Sequence, residues 1–360
     1  MPEPAKAEPV RAGRETALPR SSEHPPSGVY DVALLDLDGV VYTGGAAVTG
    51  ATEALAEARG RGMRLGFVTN NASRSPSAIA AQLNRLGVPA VQTEIVTSAQ
   101  AAARLLAERL PAGAPVLVVG GIGLRLALRE RGLRPVSTAL DRPAAVVQGY
   151  APDIGYPLLA EGGLAVRAGA WFVASNADLT LPTPRGLQPG NGSLVQVIAT
   201  ATGQQPVVAG KPEPPLHAEA VARTGAARPL VVGDRLDTDI EGAVRVGADS
   251  LLVLTGVTRP ADAVLAPEHQ RPSYLADDLS GLLEPHPPVT VAGSEFRCRG
   301  WTARLHTVMA GHDGQAARLE INGEGAAIDG LRALCAAAWS ADTVAGDSVA
   351  SAVGRLGFPG

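Results

Sequence analysis

Two aspartates one residue apart, Asp36 and Asp38, stand directly behind the apolar run Val32-Ala33-Leu34-Leu35. Such a run fits a buried parallel strand, and ligands of open α/β sheets bind outside the carboxyl ends of their strands. Two carboxylates brought together there repel unless a cation compensates, and magnesium suits oxygen ligands. The spacing alone carries little weight, because a second Asp-x-Asp pair occurs at Asp237 and Asp239. Three further segments add to it. Phe67-Val68-Thr69-Asn70-Asn71 closes an apolar run with a hydroxyl and two amides suited to phosphate oxygens. Gly210-Lys211-Pro212 supplies a compact positive charge, and Val231-Val232-Gly233-Asp234, followed by Asp237 and Asp239, ends a third run in acid. A metal, a nucleophilic carboxylate and an anion clamp are the parts needed for phosphoryl transfer through an aspartyl-phosphate.

These residues need a scaffold that brings several strand ends together. Apolar runs and helical spacings alternate along the chain. A helix is predicted over 50–60, a strand over 64–71 and a helix over 75–87, with Ser75 as N-cap, Pro76 at the first helical position and Gly87 as the stop. The alternation continues through SAQAAARLLAERL, APVLVVGG, LRLALRERG, AAVVQGY and GAWFVASN, then PLVVGDRLDTDIEGAVRVGADSLLVLTG. This pattern favours an α/β fold with parallel sheets. Residues 1–28, rich in proline and charge and without periodicity, read as a disordered tail. EPHPPV after Leu283 reads as a linker to a small α+β segment over 289–360, with strand-like WTARL and ARLEI and an alanine-rich helix.

With DLDGVVY, TNNASRS, GKPEP and GDRLDTDI in this order and spacing, residues 30–284 resemble the haloacid dehalogenase (HAD) superfamily, and within it the NagD and p-nitrophenylphosphatase-like branch. The resemblance implies a Rossmann-like core over 29–97 and 206–284 and an inserted α/β cap of the C2a type over 98–205. It implies Asp36 as nucleophile and Asp38 as the acid that protonates the leaving oxygen and then activates water. Thr69, Asn70 and Asn71 would bind phosphate, with Asn71 equally readable as a loop cap, and Lys211 would balance charge. Magnesium would be held by Asp36, the Asp38 carbonyl and Asp234, with Asp239 supporting it from behind. Within the cap, Asn176 and Asp178 match a loop that faces the site and selects substrate in the family, although Ser175 and Ala177 replace its usual neighbours. A turn built by the Asx side chains is the other reading. The whole arrangement, with a short acetyltransferase-like extension, is similar to actinobacterial glycerol 3-phosphate phosphatases. Phosphoglycolate, sugar phosphates, nucleotides and pyridoxal phosphate are the other substrates of the branch.

Other chemistries find little support. The 360 residues carry 31 basic and 35 acidic side chains, a net −4, which gives no global basic surplus for nucleic acid. No stretch of 18 apolar residues suggests a membrane span, and the first 28 residues lack the apolar core of a secretory signal. Cys298 and Cys335 form neither a redox pair nor a zinc ribbon. The expectation is a cytoplasmic enzyme of small phosphorylated metabolites, with a homo-oligomer left open. GGIGLR at 120–125 lacks the third glycine of a dinucleotide loop and reads as a plain strand-to-helix turn, His217 as a surface or packing residue, and Asp237 equally as a solvated loop acid. No acetyl-CoA loop is found in the C-terminal segment. A phosphotransferase would use the same residues, whereas a phospholigand sensor would need neither Asp36 nor Asp38. Among the 31 basic residues only Lys6 and Lys211 are lysines, so a lysine kept against this arginine habit points to a need for its compact ammonium.

Overall fold

A computed structural model of the chain describes residues 18–183, 185–307 and 316–358. It divides into two compact units, Arg20–Pro287 and a second that includes Pro288–Gly360. The expected α/β architecture is present in the larger one. Its main sheet has six strands in the order Tyr274–Ala276, Asp249–Val253, Pro229–Gly233, Val32–Leu35, Arg64–Thr69, Ile95–Thr97, all parallel. Val32–Leu35 is buried throughout, as a strand covered on both faces must be. It lies between the strands that end at Thr69 and Gly233, so the segments carrying Asp36, Asn70 and Asp234 emerge side by side at one sheet edge.

The helix Pro76–Arg85 begins as predicted: the Ser75 hydroxyl accepts from Ala78 N at 3.2 Å, and Gly87 takes φ +82° just beyond its end. A second parallel sheet in the same unit has the order Val207–Val208, Trp171–Ala174, Ala145–Gln148, Pro115–Val119, Arg134–Val136. It therefore runs past residue 205. The GGIGLR segment is a strand-to-helix turn between Val119 and the helix Ile122–Glu130. Its glycines serve close packing, since a Cβ on Gly123 would lie 2.4 Å from the Ala72 carbonyl and 2.7 Å from that of Arg74.

The first 17 residues of the expected tail lie outside the described residues. Disorder does not hold for the remainder: Arg20 N donates to Ser273 O at 2.7 Å, Ser22 N donates to His286 O at 2.9 Å, and Pro26–Val29 forms a helical turn. Backbone pairing fixes this segment despite its polar composition.

The smaller unit is a four-stranded antiparallel sheet, Thr290–Ala292, Glu295–Cys298, Trp301–Thr307 and Ala317–Gly323, with helices Ala327–Trp339 and Gly346–Gly354. Buried and exposed residues alternate along Ala317–Ile321, with one face turned to the core. Trp301 Nε1 donates to Ala326 O at 3.0 Å and ties sheet to helix. Both cysteines are buried, and burial pushes the Cys298 thiol up to about 11, an unreactive setting.

Candidate active site

Lys211 is the centre of the site. It is 4% exposed, and its Nζ donates to Asp36 Oδ1, to Asp239 Oδ1 at 2.7 Å and to the Val68 carbonyl at 3.3 Å. Burial works against its charge, but the Asp239 and Asp36 carboxylates outweigh that and hold the ammonium above its usual range. Asp36 sits immediately past its strand. Burial pushes its carboxyl well above the ordinary range against the pull of Lys211, and Asp239 and Asp234 push the same way.

Asp234 is buried. Its Oδ2 accepts from Val257 N at 2.7 Å, while Oδ1 has no partner among the described residues. Burial, then Asp239, raises its carboxyl to about 6. Ligand oxygens of Asp36, Asp234 and Asp239 lie within 4.8 Å of one another. Three carboxyl groups gather beside one ammonium, so full ionisation would leave negative charge in excess, and Asp234 Oδ1 has no partner among the described residues. This all-oxygen donor set fits a hard divalent cation. Gly39 and Gly256 make the space: a Cβ on either would lie 2.5 Å or 1.9 Å from Asp234 Oδ2.

The Asp38 side chain stands apart from that cluster. Its Oδ2 accepts a long contact from the Tyr42 hydroxyl at 3.5 Å, and burial raises its carboxyl although Arg74 and Lys211 pull it down. Thr69 Oγ1 accepts from Asn71 N at 3.1 Å, and its hydroxyl proton has no acceptor among the described residues.

The remaining expected residues surround this cluster, some with partners other than those expected. Asn70 Nδ2 donates to Asp178 Oδ2 at 3.1 Å and to Lys211 O at 3.2 Å, and its Oδ1 accepts from Lys211 N at 2.8 Å. Both amide protons are thereby used, so its side chain does not reach for phosphate. Asn71 Oδ1 accepts from Ser73 N at 3.0 Å, Ser73 Oγ at 3.2 Å and Arg74 N at 3.2 Å, which is the loop-capping arrangement. Asn176 donates to Asn70 O at 2.7 Å and accepts from Asp178 N at 3.2 Å. It builds the loop and leaves Asp178 to face the site. Asp239 Oδ2 accepts from Arg235 N at 3.2 Å, while the exposed Asp237 pairs with Arg235 at 2.7 Å.

Sequence reasoning missed Tyr42 and Arg74, although both lie inside the quoted motifs. It also missed Asn191, whose Nδ2 donates to Asn176 O at 2.7 Å. The scarcity of asparagine was the available signal: of six in the chain, Asn70, Asn71, Asn176 and Asn191 gather in these loops.

Comparison with known proteins agrees with this geometry. Residues 33–134 match the haloacid dehalogenase-like hydrolases and 208–282 a HAD-hydrolase-like family, while 298–358 match a GCN5-related N-acetyltransferase-like domain. A D-glycerol 3-phosphate phosphatase of Mycobacterium tuberculosis is 48% identical over 316 residues, which is 87% of this chain and 86% of that protein. This chain belongs to the haloacid dehalogenase-like hydrolases. A 5'-nucleotidase of Bacillus subtilis is 38% identical over 70% of this chain and 96% of its own length. Among solved structures, a glycerol phosphate phosphatase of Mycobacterium tuberculosis in complex with magnesium superposes with a TM-score of 0.82 at 44% identity, covering 93% of this chain and 99% of that one. The HAD core and the acetyltransferase-like extension are thus both found among known families.

Proposed function

We propose that this chain is a magnesium-dependent phosphatase that cleaves small phosphate monoesters through an aspartyl-phosphate, with glycerol 3-phosphate as its substrate. The observation that carries the reading is Lys211 Nζ shared by Asp36 and Asp239 beside the unpartnered Asp234 oxygen. The 48% identical D-glycerol 3-phosphate phosphatase supports the choice of substrate. Residues 29–97 and 206–284 would form the catalytic core, 98–205 the cap and 289–360 a small further domain.

In this reading an Asp36 carboxylate oxygen attacks phosphorus as the bond from phosphorus to the glycerol oxygen breaks. Asp38, whose carboxyl burial raises above its ordinary value, gives its proton to that leaving oxygen. The Asp38 carboxylate then takes a proton from water as the water oxygen attacks phosphorus, and the bond to Asp36 breaks, releasing phosphate. The Thr69 hydroxyl donates to a phosphate oxygen, and Lys211 offsets the anionic charge. Asp36, Asp234 and the Asp38 carbonyl, with Asp239 behind, would hold magnesium, which would supply charge neutralisation at the phosphate. The enzyme would act in the cytoplasm on small metabolites without nucleic-acid or membrane partners. No described helix is long and apolar enough to cross a membrane.

The test is free phosphate release from a panel led by glycerol 3-phosphate, with magnesium, with EDTA and with Asp36→Asn. Magnesium-dependent release, highest in kcat/KM for glycerol 3-phosphate and lost in the variant, is expected. Silence across the panel from folded protein would overturn the phosphatase reading, and a different preferred ester would overturn the substrate.

A further inference from the structure

Asn70 lies where three segments meet: the strand end at Thr69, the 175–193 loop, and the turn at Gly210-Lys211. Its side chain is bound on both faces. Oδ1 and Nδ2 bracket the Lys211 main chain, accepting from N at 2.8 Å and donating to O at 3.2 Å, while the second Nδ2 proton goes to Asp178 Oδ2 at 3.1 Å. Its main-chain oxygen accepts from Asn176 Nδ2 at 2.7 Å and from Ser98 Oγ at 2.6 Å. The junction is tight: a Cβ on Gly210 would lie 2.5 Å from Asn70 Oδ1, 2.5 Å from Ser175 O and 3.0 Å from Asn176 Cβ. Lys211 in turn reaches Asp36 through Nζ.

A continuous chain of contacts thus runs from the Asp178 carboxylate through one amide to the lysine on the nucleophile. The side chain that could bind an anion is instead fully used in joining the other two segments. A residue that only capped a local turn would bond within its own loop, as Asn71 does. Asn70 bonds 108 and 141 residues away in the sequence.

We propose that Asn70 is a positioning residue that couples the 175–193 loop to Lys211, so that Asp178 sets the chemical step as well as any contact with substrate. When the loop is seated, the Asp178 oxygen orients the Asn70 amide, the amide fixes the Lys211 backbone, and Nζ is held on Asp36. The inference rests on the phosphatase reading and adds a role for the loop that is independent of what the leaving group looks like.

The test compares glycerol 3-phosphate with p-nitrophenyl phosphate, whose leaving group carries no alcohol for Asp178 to read. Asp178→Ala is expected to lower kcat about tenfold on both esters with KM little changed, as loss of one hydrogen bond to a charged group would. Asp178→Asn keeps an acceptor for Asn70 Nδ2 and is expected to restore most of that loss. Asn70→Ala, which also loses both bonds to the Lys211 main chain, should lose at least as much kcat as Asp178→Ala, and the double variant should be no worse than Asn70→Ala alone. Should Asn70→Ala fail to fold, the Asp178 pair decides on its own. A loss confined to KM for glycerol 3-phosphate, a failure of Asp178→Asn to restore activity, or additive losses in the double variant would each overturn the coupling while leaving the phosphatase standing. A wild-type chain inert toward both esters would overturn the phosphatase reading, and the coupling with it.

Discussion

At the scale of residues, buried charge and its partners decide most of what this chain does. Lys211, a lysine among arginines, places a compact ammonium between two carboxylates in a buried position. His217 is buried six positions later, with neither ring nitrogen hydrogen-bonded among the described residues. Burial, then the Lys211 charge, lowers its pKa to about 3. The sequence reading of His217 as a surface or packing residue therefore resolves to packing. The sign of the pH effect follows from proton uptake. Between about 6.5 and 3 the unfolded imidazole binds a proton and the folded one does not, so His217 costs stability as pH falls through that window. The slope is up to about 1.4 kcal/mol per pH unit. We expect urea unfolding midpoints to fall less steeply from pH 7 to pH 4 in His217→Leu than in the parent; parallel slopes would show that the imidazole is not held neutral.

At the scale of elements, the legible parts were those with strong local signals. Apolar runs marked the parallel strands, and Ser75, Pro76 and Gly87 marked one helix at both ends. The antiparallel strands Thr180–Thr183 and Gly186–Pro189 were not visible, because proline and glycine there suppress any alternation, and the segment read only as a long polar loop. Nor could the sequence show that residues 20–28 are held by distant backbone groups, since such pairing leaves no periodicity. The site aspartates were legible because each follows an apolar strand. The roles of Asn70 and Asn176 were not, because their partners lie across the fold. The loop after Asp249–Val253 makes a contribution of the same kind. Val257 N and Thr258 N donate to Asp234 Oδ2 and to its main-chain oxygen at 2.7 and 3.1 Å, and Gly256 lets the loop close on that carboxylate. Gly256→Ala must shift either the loop or the Asp234 side chain. We expect the magnesium concentration for half-maximal activity to rise at least about tenfold, with KM for the ester changed less. An unchanged magnesium requirement would show that the close approach does not shape the cation site.

At the scale of the whole molecule, the two units have different relatives. The Bacillus subtilis 5'-nucleotidase is matched over 96% of its length by 70% of this chain, whereas residues 298–358 match an acetyltransferase-like family. Asp36, Asp38, Lys211, Asp234 and Asp239 all lie within Arg20–Pro287, and the smaller unit holds the buried Cys298 thiol. The proposed phosphatase mechanism requires a covalent bond between Asp36 and phosphorus. The most direct measurement is a rapid acid quench of the full chain during turnover of radiolabelled glycerol 3-phosphate with magnesium, followed by peptide mapping. Label on the peptide containing Asp36, released by alkali or hydroxylamine and absent from Asp36→Asn, is the result expected. Turnover without labelled protein at any quench time, or label on a peptide that lacks Asp36, would rule out an aspartyl-phosphate at Asp36.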